Sequence, residues 1–257
     1  MKLPKRLVLS VVPDIPKINS GDDLGAIIIG AMENAKLAPG DGDVIVIAQK
    51  VVSKAQGRFV DLTTVVPSPR ALELAGRVNK DARLVEVILS ESVRVVREHP
   101  NVLIVEHRAG FIVANAGVDR SNVTASPDRD VVLLLPAEPD TAAQSLRTRL
   151  EAHFRKSLGV IVSDSFGRPW RQGTVGVALG AAGVAALRDL RGQPDLFGNV
   201  LEVSETAVAD EIASAASLLM GQGNEGHPVV IVSGFDMAPT PVPASALIRP
   251  ASQDLFR

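Results

Sequence analysis

The sequence predicts an α+β fold, with mixed and antiparallel sheets and packed helices. Three observations carry that expectation. Short apolar runs outnumber what a regular alternation of strands and helices would supply. Hydrophobic residues make up 46% and charged residues 22% of the 257, enough for a sizeable core and against disorder. The longest uncharged apolar run, Val175 to Leu187, falls far short of a membrane span.

Residues 7–12 read as a strand ended by Pro13 and Pro16. Ser20 reads as a helix cap with Asp22 and Asp23 in the first turn, followed by Leu24, Ile27, Ile28, Ala31 and Met32 at helical spacing. After the turn Pro39-Gly40-Asp41-Gly42, the apolar run Val44 to Ile47 is a buried strand that delivers Gln49, Lys50, Ser53 and Lys54. Ser68-Pro69 opens a helix, with serine as cap and proline first, and another helix runs from Asp81 to Leu89. Strands follow at 93–97, 102–107, 111–114 and 131–135, with a polar loop over 115–130. An amphipathic helix spans 140–156 on Leu146, Leu150 and Phe154, and residues 159–163 form a short strand. Residues 164–199 read as irregular, 205–220 as a helix and 229–233 as a strand. The chain is expected to be a single unit over 1–257, with 236–257 a proline-rich C-terminal tail; the pattern leaves one domain against two lobes open.

Several functions are excluded by composition. Without cysteine there are no disulfides, thiolate metal sites or cysteine nucleophiles. A net charge of −2, no tyrosine and one tryptophan argue against a nucleic-acid partner. The basic start, Met1 to Arg6, is followed by an apolar stretch too short and interrupted for a signal peptide, so the expectation is a cytoplasmic protein with no membrane partner.

Residues 221–226, Gly-Gln-Gly-Asn-Glu-Gly, satisfy G-x-G-x-x-G, but a helix precedes the motif and Pro228 with a strand follows. A dinucleotide fold needs the reverse order, so that reading fails. Glycines that turn backbone N–H groups toward one point can still cradle a phosphate; a helix cap followed by a tight turn is the plainer alternative. Asp119 and Asp164 each follow an apolar strand, where a carboxylate can be held for a hard cation. Each could equally be a turn residue capping local backbone. Lys54, close behind a buried strand, is a candidate phosphate clamp. Arg168, Arg171, Arg188 and Arg191 could meet phosphate or carboxylate, and one of Asp210 and Glu211 could reach the site. The four histidines share no ligand spacing.

Taken in order, these motifs resemble the coenzyme F-420-0:L-glutamate ligase family, the γ-glutamyl ligases of a deazaflavin cofactor. The resemblance rests on Gly21-Asp22-Asp23-Leu24, the stretch Val52 to Arg58, Asn115-Ala116-Gly117-Val118-Asp119 with Ser121-Asn122, and Asp164-Ser165-Phe166-Gly167-Arg168. Asp195-Leu196-Phe197-Gly198, Val208-Ala209-Asp210-Glu211 and Leu219 to Gly223 complete it, over about Ile15 to Phe235. It implies a GTP-dependent reaction that activates the carboxylate of the coenzyme precursor as an acyl phosphate, then forms an amide with L-glutamate and extends the tail by γ-links. It also implies magnesium or manganese, potassium, and an intertwined homodimer of unusual α+β fold. The metal positions would be Asp119, Asp164, Ser165 and Gln222. The GTP contacts would be Ile15, Pro16, Lys17, Ile18, Gln49, Lys50, Lys54, Asn122 and the run Leu219, Met220, Gly221, Gln222, Gly223, Asn224, Glu225, Gly226. Asp119, Asp164 and Lys54 would be the catalytic set. Gln49-Lys50 stands where some relatives carry hydroxyl residues, and Gln222 where others carry a carboxylate. The chain ends short of the flavin-binding domain that some members add. A ligase for another carboxylic acid, a metal-dependent phosphohydrolase using the same aspartates and a non-catalytic nucleotide-binding protein are the competing readings.

Overall fold

The structure, a computed structural model, describes residues 5–123, 130–235 and 240–254. In chain order the elements are β1 (Val8–Val11), α1 (Leu24–Asn34), β2 (Val44–Ala48), α2 (Gln49–Ala55), β3 (Phe59–Asp61), α3 (Pro69–Val78) and α4 (Ala82–Ser90). Next come β4 (Ser92–His99), β5 (Val102–His107), β6 (Ile112–Ala114), β7 (Val131–Leu133), α5 (Pro139–Phe154), β8 (Gly159–Arg168) and β9 (Arg171–Ala182). Then follow β10 (Arg188–Asp189), β11 (Glu205–Thr206), α6 (Val208–Met220) and β12 (Val229–Ser233). The fold is α+β, as expected, with mixed and antiparallel sheets.

The main sheet has the order β1-β12-β2-β8-β9, antiparallel throughout except for the parallel pair β2–β8. Its three central strands carry continuous apolar runs, Val44–Ile47 in β2, Val160–Val162 in β8 and Val229–Val232 in β12, because both faces are covered there. Ile45, Ile47, Val160, Val162, Val229 and Ile231 pack with Ile28 and Met32 of α1 and Leu150 of α5. The alternate residues Val44, Val46, Ile161, Val230 and Val232 pack with Ile212, Ala213 and Ala216 of α6. Between α2 and α5 an inserted region carries the antiparallel sheet β4-β5-β6, the ribbon β3–β7, and α3 and α4 around Leu74, Val78, Ile88, Leu103 and Val105.

Local signals set most boundaries. Ser68 accepts the Ala71 N–H at 3.2 Å and Pro69 begins α3, as its sequence indicates. Asp23, not Ser20, caps α1, accepting the Ala26 N–H at 3.0 Å, so neither Asp22 nor Asp23 lies within its first turn. Helix α2 has no counterpart in the sequence reading, which gives Gln49 to Lys54 only as residues delivered by the strand before them; at seven residues it is too short to show periodicity. The region expected to be irregular holds instead a long hairpin, β8 running on to Arg168 and β9 returning to Ala182. The final helix starts at Val208, with Glu205–Thr206 paired to Arg188–Asp189. The loop expected over 115–130 and the C-terminal tail are each partly outside the described residues. The described part of the tail is anchored, with Asp140 accepting the N–H groups of Ala244 at 2.9 Å and Ser245 at 3.2 Å.

Two glycines of β9 are packing contacts. A Cβ on Gly176 would sit 2.3 Å from the Ala213 carbonyl oxygen of α6, and one on Gly180 would sit 2.1 Å from that of Pro139. Gly176→Ala therefore has to push α6 off the sheet. It is expected to lower unfolding stability by about 1–3 kcal/mol in a urea titration. An unchanged midpoint would remove this close approach from the determinants of the fold.

Candidate active site

The parallel ladder between β2 and β8 ends with Ala48 opposite Ser163. Gln49 opens α2 at that point, and Asp164 continues β8. From there a cleft of about 590 Å³ extends between α2, the Asp119–Asn122 loop, the glycine loop after α6 and the Ile15–Lys17 segment.

Asp119 reaches the cleft through an unusual turn. Asn115, Ala116 and Gly117 all hold positive φ, at 51°, 54° and 67°. Gly117 has no alternative, because a Cβ there would lie 2.6 Å from the Leu135 side chain. For the two non-glycine residues this geometry costs on the order of 1–3 kcal/mol each. The next backbone is clamped: Asp119 and Leu133 exchange N–H···O bonds of 3.0 and 2.9 Å. The Asp119 carboxylate meets the Lys50 ammonium at 2.7 Å and accepts the Ser121 N–H at 2.7 Å and hydroxyl at 3.0 Å. Burial pushes this carboxyl up, but the Lys50 and Ser121 hydrogen bonds and the Lys50 charge outweigh it and hold it below the ordinary range.

Asp164 is treated differently by its surroundings. Burial is the main cause that raises its pKa to about 6, the neighbouring Asp119 charge adds to it, and the Ser165 N–H at 2.8 Å opposes it. Gln49, 4% exposed, accepts the Ser53 hydroxyl at 2.9 Å and donates to Asp164. No ammonium or guanidinium forms a salt bridge with Asp164 among the described residues. Beside it, the Ser165 hydroxyl donates to Gln222 Oε1 at 2.9 Å. Four oxygen-bearing side chains, Asp119, Asp164, Ser165 and Gln222, thus line one cleft. Two carboxylates, one of them short of positive charge, with neutral oxygens beside them suit a hard divalent cation that completes its shell with water and phosphate. Among the described residues no group of three or more histidine or acidic side chains offers another metal site.

The rest of the cleft carries positive charge and backbone donors. Lys50 and Lys54, one helical turn apart, hold the facing loop: Lys50 donates to the Ser121 carbonyl at 2.9 Å and Lys54 to that of Asn122 at 2.6 Å. Burial lowers the Lys54 pKa, and the nearby Lys50 and Lys17 charges lower it further. Asn122 donates in turn to the Gly223 carbonyl at 3.1 Å, tying that loop to the glycine loop. Gly221 caps α6 at φ 71°, so the helix-cap reading holds as well. A Cβ on it would fall 2.2 Å from the Glu225 carboxyl carbon. The Glu225 carboxylate accepts the Gly223 N–H at 2.8 Å and is held below its ordinary range by the loop amides, its own first.

Nearly every residue singled out from sequence therefore converges here. Ile18 and Leu219 stand apart: Ile18 is turned into the core, and the Leu219 carbonyl engages His227 Nδ1 at 3.1 Å. The four arginines also lie elsewhere; Arg191 pairs with Asp189 at 2.7 Å and Arg168 contacts the Gly173 carbonyl. Neither Asp210 nor Glu211 reaches the cleft, because Asp210 turns to the Ala178 N–H at 2.8 Å and Glu211 is exposed. Ser163, Ser217, His227 and Pro228 line the cleft without having been singled out for it. Only the adjacency of His227 and Pro228 to the glycine loop offered a signal.

A polar cleft with paired carboxylates and lysines where a parallel strand pair ends is the usual place for a ligand site in such a sheet. A model of the family described as F420-0:Gamma-glutamyl ligase matches residues 14–234, and the chain belongs to that family. Relatives named "Coenzyme F420:L-glutamate ligase" include that of Methanopyrus kandleri, 46% identical over 255 residues, 98% of each chain. That of Methanothermobacter thermautotrophicus is 43% identical over 248 residues, 96% of this chain and 97% of its own. That of Archaeoglobus fulgidus is 42% identical over 233 residues, 91% of this chain and 90% of its own.

A carboxyl whose folded pKa is raised contributes stability below the unfolded value near 3.8 and loses it as pH rises through about 6. At pH 7 the ionised Asp164 therefore opposes folding in cation-free buffer. Asp164→Asn is expected to be more stable there than the parent chain, by about 1–3 kcal/mol, with the gap closing towards pH 4. A variant less stable at pH 7 would contradict this account of Asp164.

Proposed function

We propose that the chain is a GTP-dependent ligase that adds L-glutamate to the coenzyme F-420 precursor and then extends the tail by γ-linked residues. The observation that carries this reading is the joint placement of Asp119, Asp164, Ser165 and Gln222 with Lys17, Lys50, Lys54 and the glycine loop around one cleft. In the reaction the precursor carboxylate attacks the γ-phosphorus of GTP, GDP leaves, and an acyl phosphate forms. The glutamate amine then attacks the acyl carbon, loses a proton, and expels phosphate as the amide forms.

No side chain has to become covalently attached, which agrees with a cleft without cysteine. Asp119, Asp164, Ser165 and Gln222 would hold magnesium or manganese, which when bound neutralises phosphate charge and stabilises phosphoryl transfer by several kcal/mol. Lys17, Lys50 and Lys54 steer and bind the polyphosphate, and the amides of the glycine loop offer it further donors. Those donors now face the Glu225 carboxylate, so phosphate binding at the loop requires Glu225 to yield. Gln49 keeps Asp164 oriented from beneath. Potassium, a homodimer and a cytoplasmic setting complete the proposal. So does a single catalytic unit over 1–257.

The direct test is incubation with GTP, manganese, L-glutamate and the coenzyme precursor, followed by mass spectrometry for glutamyl increments. Increments that need all four components are expected. Phosphate release without acid or amine would favour a phosphohydrolase instead. Asp164→Ala should lose turnover at least about a thousandfold with its fold retained. Lys54→Gln should raise the KM for GTP about tenfold or more. An active Asp164→Ala would remove Asp164 from the cation site.

A further inference from the structure

The cleft already contains a cation, the ammonium of Lys50. All of its donors are spent on oxygens: the Asp119 carboxylate at 2.7 Å, the Ser121 carbonyl at 2.9 Å and the Ser121 hydroxyl at 3.0 Å. The hydroxyl gives its own hydrogen to Asp119 at 3.0 Å, which leaves its lone pairs for the ammonium. A charge ringed by carboxylate, carbonyl and hydroxyl oxygens keeps the company of a hard metal ion. The other two lysines of the cleft are differently placed. Lys54 donates to the Asn122 carbonyl at 2.6 Å, and neither Lys54 nor Lys17 forms a salt bridge among the described residues.

The ammonium fills only part of the site. It bonds Asp119, whereas Asp164 feels its charge without a salt bridge. A divalent ion that takes Asp119 as a ligand competes with Lys50 for the same carboxylate, and two cations at that range repel each other. Lys50 has somewhere to go. Its side chain springs from the first turn of α2, is 25% exposed, and borders the same cleft as Lys17 and Lys54. Its departure does not release the loop. Asp119 stays paired with the Leu133 backbone, Lys54 still holds Asn122, and Asn122 still donates to the Gly223 carbonyl.

We propose that Lys50 is the built-in counter-ion of the cation site: it neutralises Asp119 until a divalent ion evicts it, and the freed ammonium then turns to the nucleotide phosphates. The assignment rests on the reading of this cleft as a metal–triphosphate site. While held on Asp119 and Ser121, Lys50 has no donor left for phosphate, so metal binding adds a lysine to those that grip the nucleotide. A metal ion alone is opposed by the ammonium it must move. Phosphate offsets that cost by receiving the ammonium. One side chain thereby couples the two ligands, and the cleft favours the pair over either alone.

The experiment is calorimetric titration of manganese, without nucleotide, into the full-length parent, Lys50→Met, Lys50→Arg and Lys54→Gln, with a thermal melt of each. Lys50→Met is expected to bind manganese at least about tenfold more tightly than the parent. Lys50→Arg keeps a counter-ion on Asp119, and Lys54→Gln removes a nearby charge that touches no carboxylate, so both should stay within about threefold of the parent. Unchanged or weaker binding by Lys50→Met, an equal gain in Lys54→Gln, or no manganese binding to any of the four proteins overturns the assignment. The parent also gives a reading independent of any variant's folding. Acetylation of Lys50 by acetic anhydride, followed by peptide mass spectrometry, should be slow and should quicken about threefold or more when magnesium is added. Equal labelling with and without magnesium overturns the assignment as well. The ligase reading is judged apart, in the assay for glutamyl increments, and its failure there leaves the manganese titration standing.

Discussion

The parallel pairing of β2 with β8 is the constraint on which the rest of the structure depends. Five residue pairs, from Val44–Gly159 to Ala48–Ser163, bring both strands to the same edge of the sheet. Gln49 and Asp164, next in each chain, therefore emerge as neighbours; an antiparallel pairing would have put them at opposite edges. Parallel strands also require a long crossover, and here the crossover contains α2, the whole inserted region and α5. That crossover returns Asp119 to the cleft from a direction the sheet alone could not supply. The sheet stays rigid under this load because its central strands are buried on both faces, against α1 and α5 on one side and α6 on the other.

The unfavourable features of the structure gather at the same place. Three consecutive left-handed residues precede Asp119, and Asp164 is desolvated next to a second carboxylate. Neither helps the chain to fold. Both persist because their surroundings over-determine them: Ala116 is buried in the core of the inserted region, Asp119 is clamped by two bonds to Leu133, and Gln49 is itself held by Ser53. Such local conflicts with otherwise consistent packing mark working sites.

Those conflicts also explain what could be read from the sequence. The buried strands β2 and β12, the capped helix α3 and the apolar stripe of α5 declare themselves because their signals are local. The β8–β9 hairpin did not. Asp164, Ser165 and Gly167 break its apolar run, the first two because they face the cleft. Gly176 and Gly180 break the returning strand because the backbones of α6 and α5 press against them. Helix α2 was missed for its brevity, although Gln49 with Ser53 and Lys50 with Lys54 repeat at the four-residue spacing of one helical face. The cleft was legible as a set of motifs but not as contacts. Nothing in the spacing of Lys50 and Asp119 announces their ion pair, nor that of Asn122 and Gly223 their hydrogen bond. Asp210 shows the limit from the other side, since its motif stood out while its destination was hidden.

The β8–β9 pair does more than present Asp164. It is also the surface on which two helices seat: Gly176 and Gly180 carry no side chain where the Ala213 carbonyl of α6 and the Pro139 carbonyl of α5 press against the strand. The strand that returns beside Asp164 is thereby held by both helices, and the register pair Asp164–Val177 inherits that rigidity. A desolvated carboxylate keeps its place only on such a support, so the glycines of β9 serve the cleft although neither lines it.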